Sequence, residues 1–294
     1  MVNGSIIVTG GTGKTGSQLV TLLKEADIPF LLTSRRGSES SPKNLVNMTA
    51  NFDMYDKTTF RNAFDSAHEK NNAVTGLFLV APEGDGALQA LDRFIDYAVK
   101  HGSIECVVQL TGSYAEMSEE YVNNTWRRLK DMGVQYYALR PTWFMENFAE
   151  SSFVDCLKTE GKIYTAAGNG RIPFISTIDI ARVAFSILSG EFTPTKVTYK
   201  LTGPELLSYD EVAGMFSDIL NRHIEHVKLS PEQMKQRHID QGLPEELASL
   251  LADLDAGTAN GSEERLGGCT LEDLLDRPSQ LLRQWATQRE DTWK

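Results

Sequence analysis

Three glycines spaced three apart, Gly10, Gly13 and Gly16, stand close to the start of a 294-residue chain, within Thr9-Gly10-Gly11-Thr12-Gly13-Lys14-Thr15-Gly16. Gly11, Gly13 and Gly16 also satisfy G-x-G-x-x-G. This spacing suits the binding of a diphosphate. Glycine permits positive φ in a tight turn, lets the backbone approach the anion, and lets a helix pack closely on a strand. The anion then rests on the unpaired N–H groups and the positive dipole end of the helix. Gly13-Lys14-Thr15 also invites a mononucleotide P-loop, but that motif needs a glycine five residues before Gly13, where Val8 stands. A bare glycine-rich turn without a ligand is the plainer alternative. A second cluster, Ser34-Arg35-Arg36, bears on the choice of dinucleotide. An acidic residue there would accept from a ribose 2′-hydroxyl, whereas a cation accommodates a 2′-phosphate. Two guanidinium forks, with Lys14 in the adjoining turn, lead us to expect NADP(H) rather than NAD(H).

The elements that must position these residues follow from periodicity. Ile6-Ile7-Val8 reads as a buried strand, and Ser17 to Lys24 has apolar positions at helical spacing. Pro29 to Thr33 is a second strand, 37–50 a surface loop, and Met48 to Asp53 a weak third strand. Asp53 falls where such folds contact the adenine amino group, with a solvent-facing loop carboxylate as the alternative. Helix is expected over 57–70, a fourth strand over Val74 to Pro82, and a helix with Leu88, Leu91, Phe94, Ile95 and Ala98 on its apolar face. Ile104 to Leu110 is a fifth strand, 119–132 a helix, and Val134 to Pro141 a sixth strand. The alternation implies an α/β, Rossmann-like, doubly wound parallel sheet, which binds ligands at the strands' carboxyl ends. Cofactor contacts are therefore expected from Gly10, Thr12, Gly13, Lys14, Thr15, Gly16, Ser34, Arg35, Arg36, Asp53, Val80, Ala81, Pro82 and Thr142.

The pattern changes near residue 150, so 1–150 is read as the dinucleotide domain and 151–294 mainly as a smaller C-terminal substrate lobe. Ile172 to Ser176 and the helix starting at Thr177 are expected to return a strand and a helix, within 172–190, to the main sheet. Val197 to Thr202 and Ile224 to Leu229 read as strands. Ser208 with Glu211 three residues later is a capping box. Two or three acidic helices fill 230–294, with a Gly/Asn/Ser break at 256–262.

The formal charge of −11 argues against nucleic acid as a partner. Three scattered cysteines, Cys106, Cys156 and Cys269, suit reduced thiols better than a disulfide framework or metal site. The five histidines show no ligand spacing, so no metal is expected; His223 and His226 read as solvent-facing. Met1 to Ser5 does not open a signal peptide, and the apolar run at Leu77 to Ala81 is far too short to cross a bilayer. A soluble, cytoplasmic protein without membrane contact is the expectation.

Thr9 to Gly16 and Leu139-Arg140-Pro141-Thr142-Trp143-Phe144-Met145-Glu146-Asn147-Phe148 together resemble the NmrA-like branch of the atypical short-chain dehydrogenase/reductases. Gly161-Lys162-Ile163-Tyr164, Ile172 to Ser176, Asp179 to Ala184 and Gly203-Pro204-Glu205-Leu206-Leu207 extend the match. Within that branch the chain is similar to the festuclavine/agroclavine dehydrogenases of fungal ergot alkaloid pathways. The resemblance spans nearly the whole chain and is weakest at 112–132. It implies reduction, by NADPH, of an iminium derived from a tricyclic aldehyde to a tetracyclic clavine.

Ordinary short-chain dehydrogenases use a Tyr with a Lys four residues later. Ser118 follows Tyr114 at that spacing and Thr125 follows Tyr121, so the pair is missing. An iminium needs no proton donor, and catalysis then reduces to placing the hydride carbon against it and excluding water. Ser113 and Tyr114 are the polar candidates near the nicotinamide, with a turn residue and a packing aromatic as the alternative. Phe144, Asn147, Tyr164 and Phe174 are candidates for holding a flat, aromatic, cationic substrate. Trp143 and Phe148 read as core and Glu146 as a surface residue. Two other functions stay open: an NADP(H)-sensing regulator without turnover, and a reductase of a conjugated C=C or a quinone.

Overall fold

The computed structural model describes residues 4–35, 49–68, 73–82, 84–113 and 116–294. Its first half alternates strand and helix: β1 (Ser5–Val8), α1 (Lys14–Glu25), β2 (Phe30–Ser34), β3 (Thr49–Asn51), α2 (Phe60–His68), β4 (Val74–Val80), α3 (Ala87–His101), β5 (Cys106–Leu110), α4 (Glu116–Asp131) and β6 (Gln135–Pro141). The second half contains α5 (Ser151–Glu160), β7 (Lys162–Thr165), β8 (Arg171–Ile172), α6 (Thr177–Ser189), β9 (Thr198–Leu201), β10 (Leu207–Ser208) and α7 (Tyr209–Leu220). It ends with β11 (Glu225–Lys228), α8 (Pro231–Asp240), α9 (Glu245–Ala259), α10 (Leu271–Leu275) and α11 (Leu282–Thr287).

Among the described residues the main sheet runs β3-β2-β1-β4-β5-β6-β9. Ile7 lies between Leu31 and Leu77, and Val107 between Leu77 and Tyr136, all in parallel register. The N–H of Ala138 donates to Val197 O and that of Thr142 to Leu201 O; both chains advance four residues, so β9 is parallel too. Helices cover such strands on both faces, which is why Ile6-Ile7-Val8 is apolar throughout instead of alternating.

Two compact units emerge. The first comprises Met1–Pro141 and Thr177–Tyr199, the second Thr142–Ser176 and Lys200–Lys294. In the first, Phe52, Phe60 and Phe94 meet edge-on or stacked over Leu77 and Val107, with ring centroids 4.8–5.6 Å apart. Helix α6 packs along α1, whose Leu19, Val20 and Leu23 are buried. The second unit centres on Phe148, Phe174, Tyr209, Phe216, Trp285 and Trp293.

Two sequence expectations change. Residues 172–176 do not rejoin the main sheet: Ile172 pairs antiparallel with Leu207 in a two-stranded ribbon. Pro173 has no N–H to extend the ladder. The segment instead lies hard against Gly203, whose N–H donates to Pro173 O at 2.8 Å and where a Cβ would fall 1.7 Å from Phe174 O. The strand that returns to the main sheet is β9. The break expected at 256–262 also starts later, because α9 continues through Gly257 to Ala259.

Candidate functional site

The glycine turn is built by contact, residue by residue. Gly10 has φ +62°, and its carbonyl accepts the Gly13 N–H at 2.8 Å. A Cβ on Gly16 would lie 2.3 Å from Gly10 O and 2.7 Å from Gly11 Cα, so the first turn of α1 rests directly on the glycine turn. A Cβ on Gly11 would meet the Leu32 side chain of β2. Thr9, which sequence reasoning passed over, fastens this turn to β4: its hydroxyl accepts the Val80 N–H at 2.8 Å. Helix α1 begins at Gly13 with no side-chain cap and no acidic residue in its first turn. The leading N–H groups of a helix have no partner within it. The Thr15 hydroxyl is buried with no hydrogen-bond partner among the described residues. Such an orphan is what a bound anion would satisfy. Thr12 and Gly13 are exposed and Lys14 is half-buried. The cradle thus fits a dinucleotide's diphosphate.

The other strand ends of this unit lie along the same edge of the parallel sheet. Ser34 is half-buried and Arg35 exposed; Arg36 lies outside the described residues. Asp53 is half-buried, and its carboxylate accepts the Tyr55 N–H at 2.9 Å, closing its own turn. Val80, Ala81 and Pro82 are half-buried beyond β4. Ser113 is buried, its N–H donating to Pro141 O at 3.1 Å. The buried Arg140 guanidinium donates to the carbonyls of Gly112 (3.4 Å) and Ser113 (3.1 Å), fixing the turn after β5. Tyr114 lies outside the described residues. Tyr121 is no proton donor to a substrate: its hydroxyl donates to Asp92, and burial pushes the phenol well up.

In the second unit Thr142 is buried, and its hydroxyl donates to the carboxylate of Glu263, itself 5% exposed. Phe144 and Asn147 are half-buried around a 3-10 turn, Met145–Ala149, held to Ile175 by the Met145 N–H. Four placements depart from expectation. Phe174 is 2% exposed among Phe148 and Tyr209, in the core and not on a pocket wall. The ring of Tyr164 is already covered by the Arg237 guanidinium, 3.8 Å from its centroid, which would repel a cationic ligand. Its hydroxyl donates to Glu160, and that bond, with burial, pushes the phenol up to about 12. His226 does not face solvent: its side chain is 1% exposed, with one ring nitrogen against Thr165 Oγ1 and the other against Asp210, each 2.8 Å away. Glu146 accepts from the Trp285 indole at 3.2 Å and is not a free surface carboxylate. Among the described residues no group of three His, Cys, Asp or Glu is placed to hold a metal. No described helix is long and apolar enough to cross a membrane.

No protein-family model matches the chain. Curated relatives do. Festuclavine synthase I of Penicillium roqueforti is 35% identical over 292 residues, 98% of this chain and 99% of that protein. Agroclavine dehydrogenase of Claviceps fusiformis is also 35% identical, over 98% of both chains. Festuclavine dehydrogenase of Aspergillus fumigatus is 37% identical over 264 residues, 89% of each. The chain belongs to the festuclavine/agroclavine dehydrogenase family. Solved structures share the fold of this family member at greater distance. Triphenylmethane reductase of Citrobacter sp., solved with NADP(H), superposes with a TM-score of 0.76 at 20% identity over 97% of this chain and 99% of that one. The NADPH-dependent quinone oxidoreductase of Escherichia coli, complexed with NADPH, gives 0.75 at 19%, again over 97% and 99%. Glu263 and Thr9 are the residues of this dehydrogenase-family chain that its sequence alone did not single out. A buried Glu after a helix carries no spacing signal.

Proposed function

We propose that the protein is an NADPH-dependent reductase that delivers hydride to the iminium carbon of an indole alkaloid intermediate. The observation that carries this reading is the Gly10–Gly16 cradle, a helix start without a cap and with a buried orphan hydroxyl at Thr15. The family relationship supports the substrate class. Gly13, Lys14 and Thr15 would receive the diphosphate, and Arg35 with Arg36, helped by Lys14, the 2′-phosphate. Ser34, Asp53 and Val80 to Pro82 would border the adenosine, and Thr142 the nicotinamide end. The coenzyme supplies the hydride. Residues of this chain then have to orient an acceptor, and Phe144 and Asn147, half-exposed just beyond β6, are the side chains we assign to that. Ser113, in the turn that Arg140 fixes through its carbonyl, is the polar side chain we place near the nicotinamide. On this reading Met1–Pro141 with Thr177–Tyr199 mainly serves the coenzyme, and Thr142–Ser176 with Lys200–Lys294 mainly the substrate. The three free cysteines suit a reducing, cytoplasmic compartment.

The test is NADPH consumption, followed by absorbance, with tricyclic iminium acceptors and with quinones. Turnover of the iminium sustains the reading; tight NADPH binding without turnover of either acceptor points to a regulator. Titration with both reduced coenzymes should favour NADPH, and Arg35→Ser should lower that preference by about tenfold, the scale of one charge-assisted hydrogen bond.

A further inference from the structure

The first compact unit carries a second concave surface at the other end of its sheet. A groove of about 370 Å³ opens where β6 and β9 begin, lined by Trp126, Lys130, Val134, Tyr137, Lys196 and Val197, all within that unit. Both strands run parallel to β1, whose carboxyl end leads into the glycine turn, so the groove lies at the opposite edge. The seven residues of β6 alone set the two edges about 20 Å apart. A volume of this size is that of a small-molecule site. We propose that the groove is a second ligand site, distinct from the coenzyme cradle, and that it takes an aromatic carboxylate. The site is independent of the reductase reading.

Its two walls are preformed turns. Helix α4 ends in a Schellman motif: Gly133, at φ +76°, donates its N–H to Lys130 O (3.0 Å), and the Val134 N–H donates to Leu129 O (2.9 Å). Opposite, the N–H groups of Thr195 and Lys196 both donate to the hydroxyl of the buried Tyr199, at 2.8 and 3.1 Å. A ligand therefore meets fixed backbone and incurs little ordering cost. The chemistry of the lining is that which recognises an amphipathic anion. Val134 is buried, and Trp126, Tyr137 and Val197 are half-buried, giving an apolar, aromatic floor. Lys130 and Lys196 are exposed, and the Lys130 ammonium lies 4.9 Å from the Trp126 ring centroid, a cation held against an apolar wall. Among the described residues neither ammonium is paired with a carboxylate; Asp92 and Asp96 of α3 are taken by Arg128 instead. In a chain of net charge −11, two ammoniums left on such a floor suit a carboxylate carried by a flat ring. Bare phosphate would leave the floor uncovered, and a neutral ring would leave the charges unmet.

The experiment uses the full chain saturated with NADPH, which fills the coenzyme site. By calorimetry, 2-naphthoate, its neutral carboxamide and inorganic phosphate are titrated into wild type and into the double variant Lys130→Gln with Lys196→Gln. Wild type should bind naphthoate about tenfold or more tighter than either alternative, the scale of a charge-assisted hydrogen bond, and the variant should lose that margin. Both lysines are exposed, so melting temperature, NADPH affinity and acceptor turnover should match wild type. Hydrogen exchange should slow within 129–137 and 194–197 when naphthoate binds, and not within 9–16. No naphthoate binding, the same margin in both proteins, or slowed exchange only outside those two segments overturns the proposal. Phosphate binding as tightly as naphthoate would make this a plain anion site and also overturns it. A chain that meets these expectations for binding but reduces no acceptor retains the groove and refutes only the reductase reading.

Discussion

Gly16 has the least freedom in the cradle, because the atoms a methyl would strike are backbone on both sides. Gly16→Ala should therefore cost about 1–3 kcal/mol, the usual range for overpacking. NADPH affinity should fall with it, read by melting temperature and by fluorescence titration. Gly13→Ala, with 3.1 Å to Gly10 O, should be milder. Asp255 supplies a second residue-level prediction. Its carboxylate is 5% exposed, accepts the Ala166 N–H at 3.0 Å, and is pushed by burial up to about 6 from an ordinary 3.8. A raised folded value means stability that is present below about pH 4 and lost as pH rises through 6, on the order of 3 kcal/mol by pH 8. Asp255→Asn keeps an acceptor for Ala166 and should raise the melting temperature at pH 8 but not at pH 4. His226 acts with the opposite slope. Burial lowers its value against the pull of Asp210, so its contribution is present above pH 6.5 and fades as pH falls. A melting series from pH 4 to 9 should show the variant losing only the decline between about pH 4 and 6.

Elements that announce themselves in one stretch of sequence were the legible ones. The capping box of α7 is an example: the Ser208 hydroxyl accepts the Glu211 N–H at 3.3 Å, and the Glu211 carboxylate accepts the Ser208 N–H at 2.8 Å. Ser208→Ala should cost about 1 kcal/mol, seen as a drop in the urea midpoint. The parallel strands and the glycine turn were equally readable, since their buried runs and φ requirements are local. What was not legible depends on partners far along the chain. Phe174 has the same apolar character whether it lines a pocket or a core, and only Phe148 and Tyr209 decide that. Tyr164 offered an aromatic face until Arg237, 73 residues later by numbering, covered it. Arg128 stands beside Arg127 in the sequence with nothing local to show a partner, yet it ties α4 to Asp92 (2.8 Å) and Asp96 (2.6 Å) of α3. Half-exposed ion pairs of this kind contribute about 0–1 kcal/mol, so Arg128→Ala should barely move stability.

The chain as a whole crosses from one compact unit to the other after Pro141, Ser176 and Tyr199. The coenzyme-binding half is therefore not a contiguous piece of sequence, and cutting at residue 150 would not isolate it. Such a fragment keeps α1 and the whole glycine cradle but loses α6, which packs on α1, and β9, which pairs with β6. Ile180, Val183, Ile187 and Leu188 of α6 are all buried. At about 1.5–3 kcal/mol for each such side chain they contribute roughly 10 kcal/mol, comparable with the entire stability of an ordinary domain. Their loss would also uncover the side of α1 on which α6 packs. Fragment 1–150 should consequently bind a hydrophobic dye, melt without a cooperative transition and fail to bind NADPH. Joining 1–141 to 177–199 through a flexible Gly/Ser linker should restore a cooperative melt that rises with NADPH concentration, as expected when a ligand binds only the folded state. If fragment 1–150 alone melted cooperatively and shifted with NADPH, α6 would be dispensable and the interleaved reading of the coenzyme unit would fall.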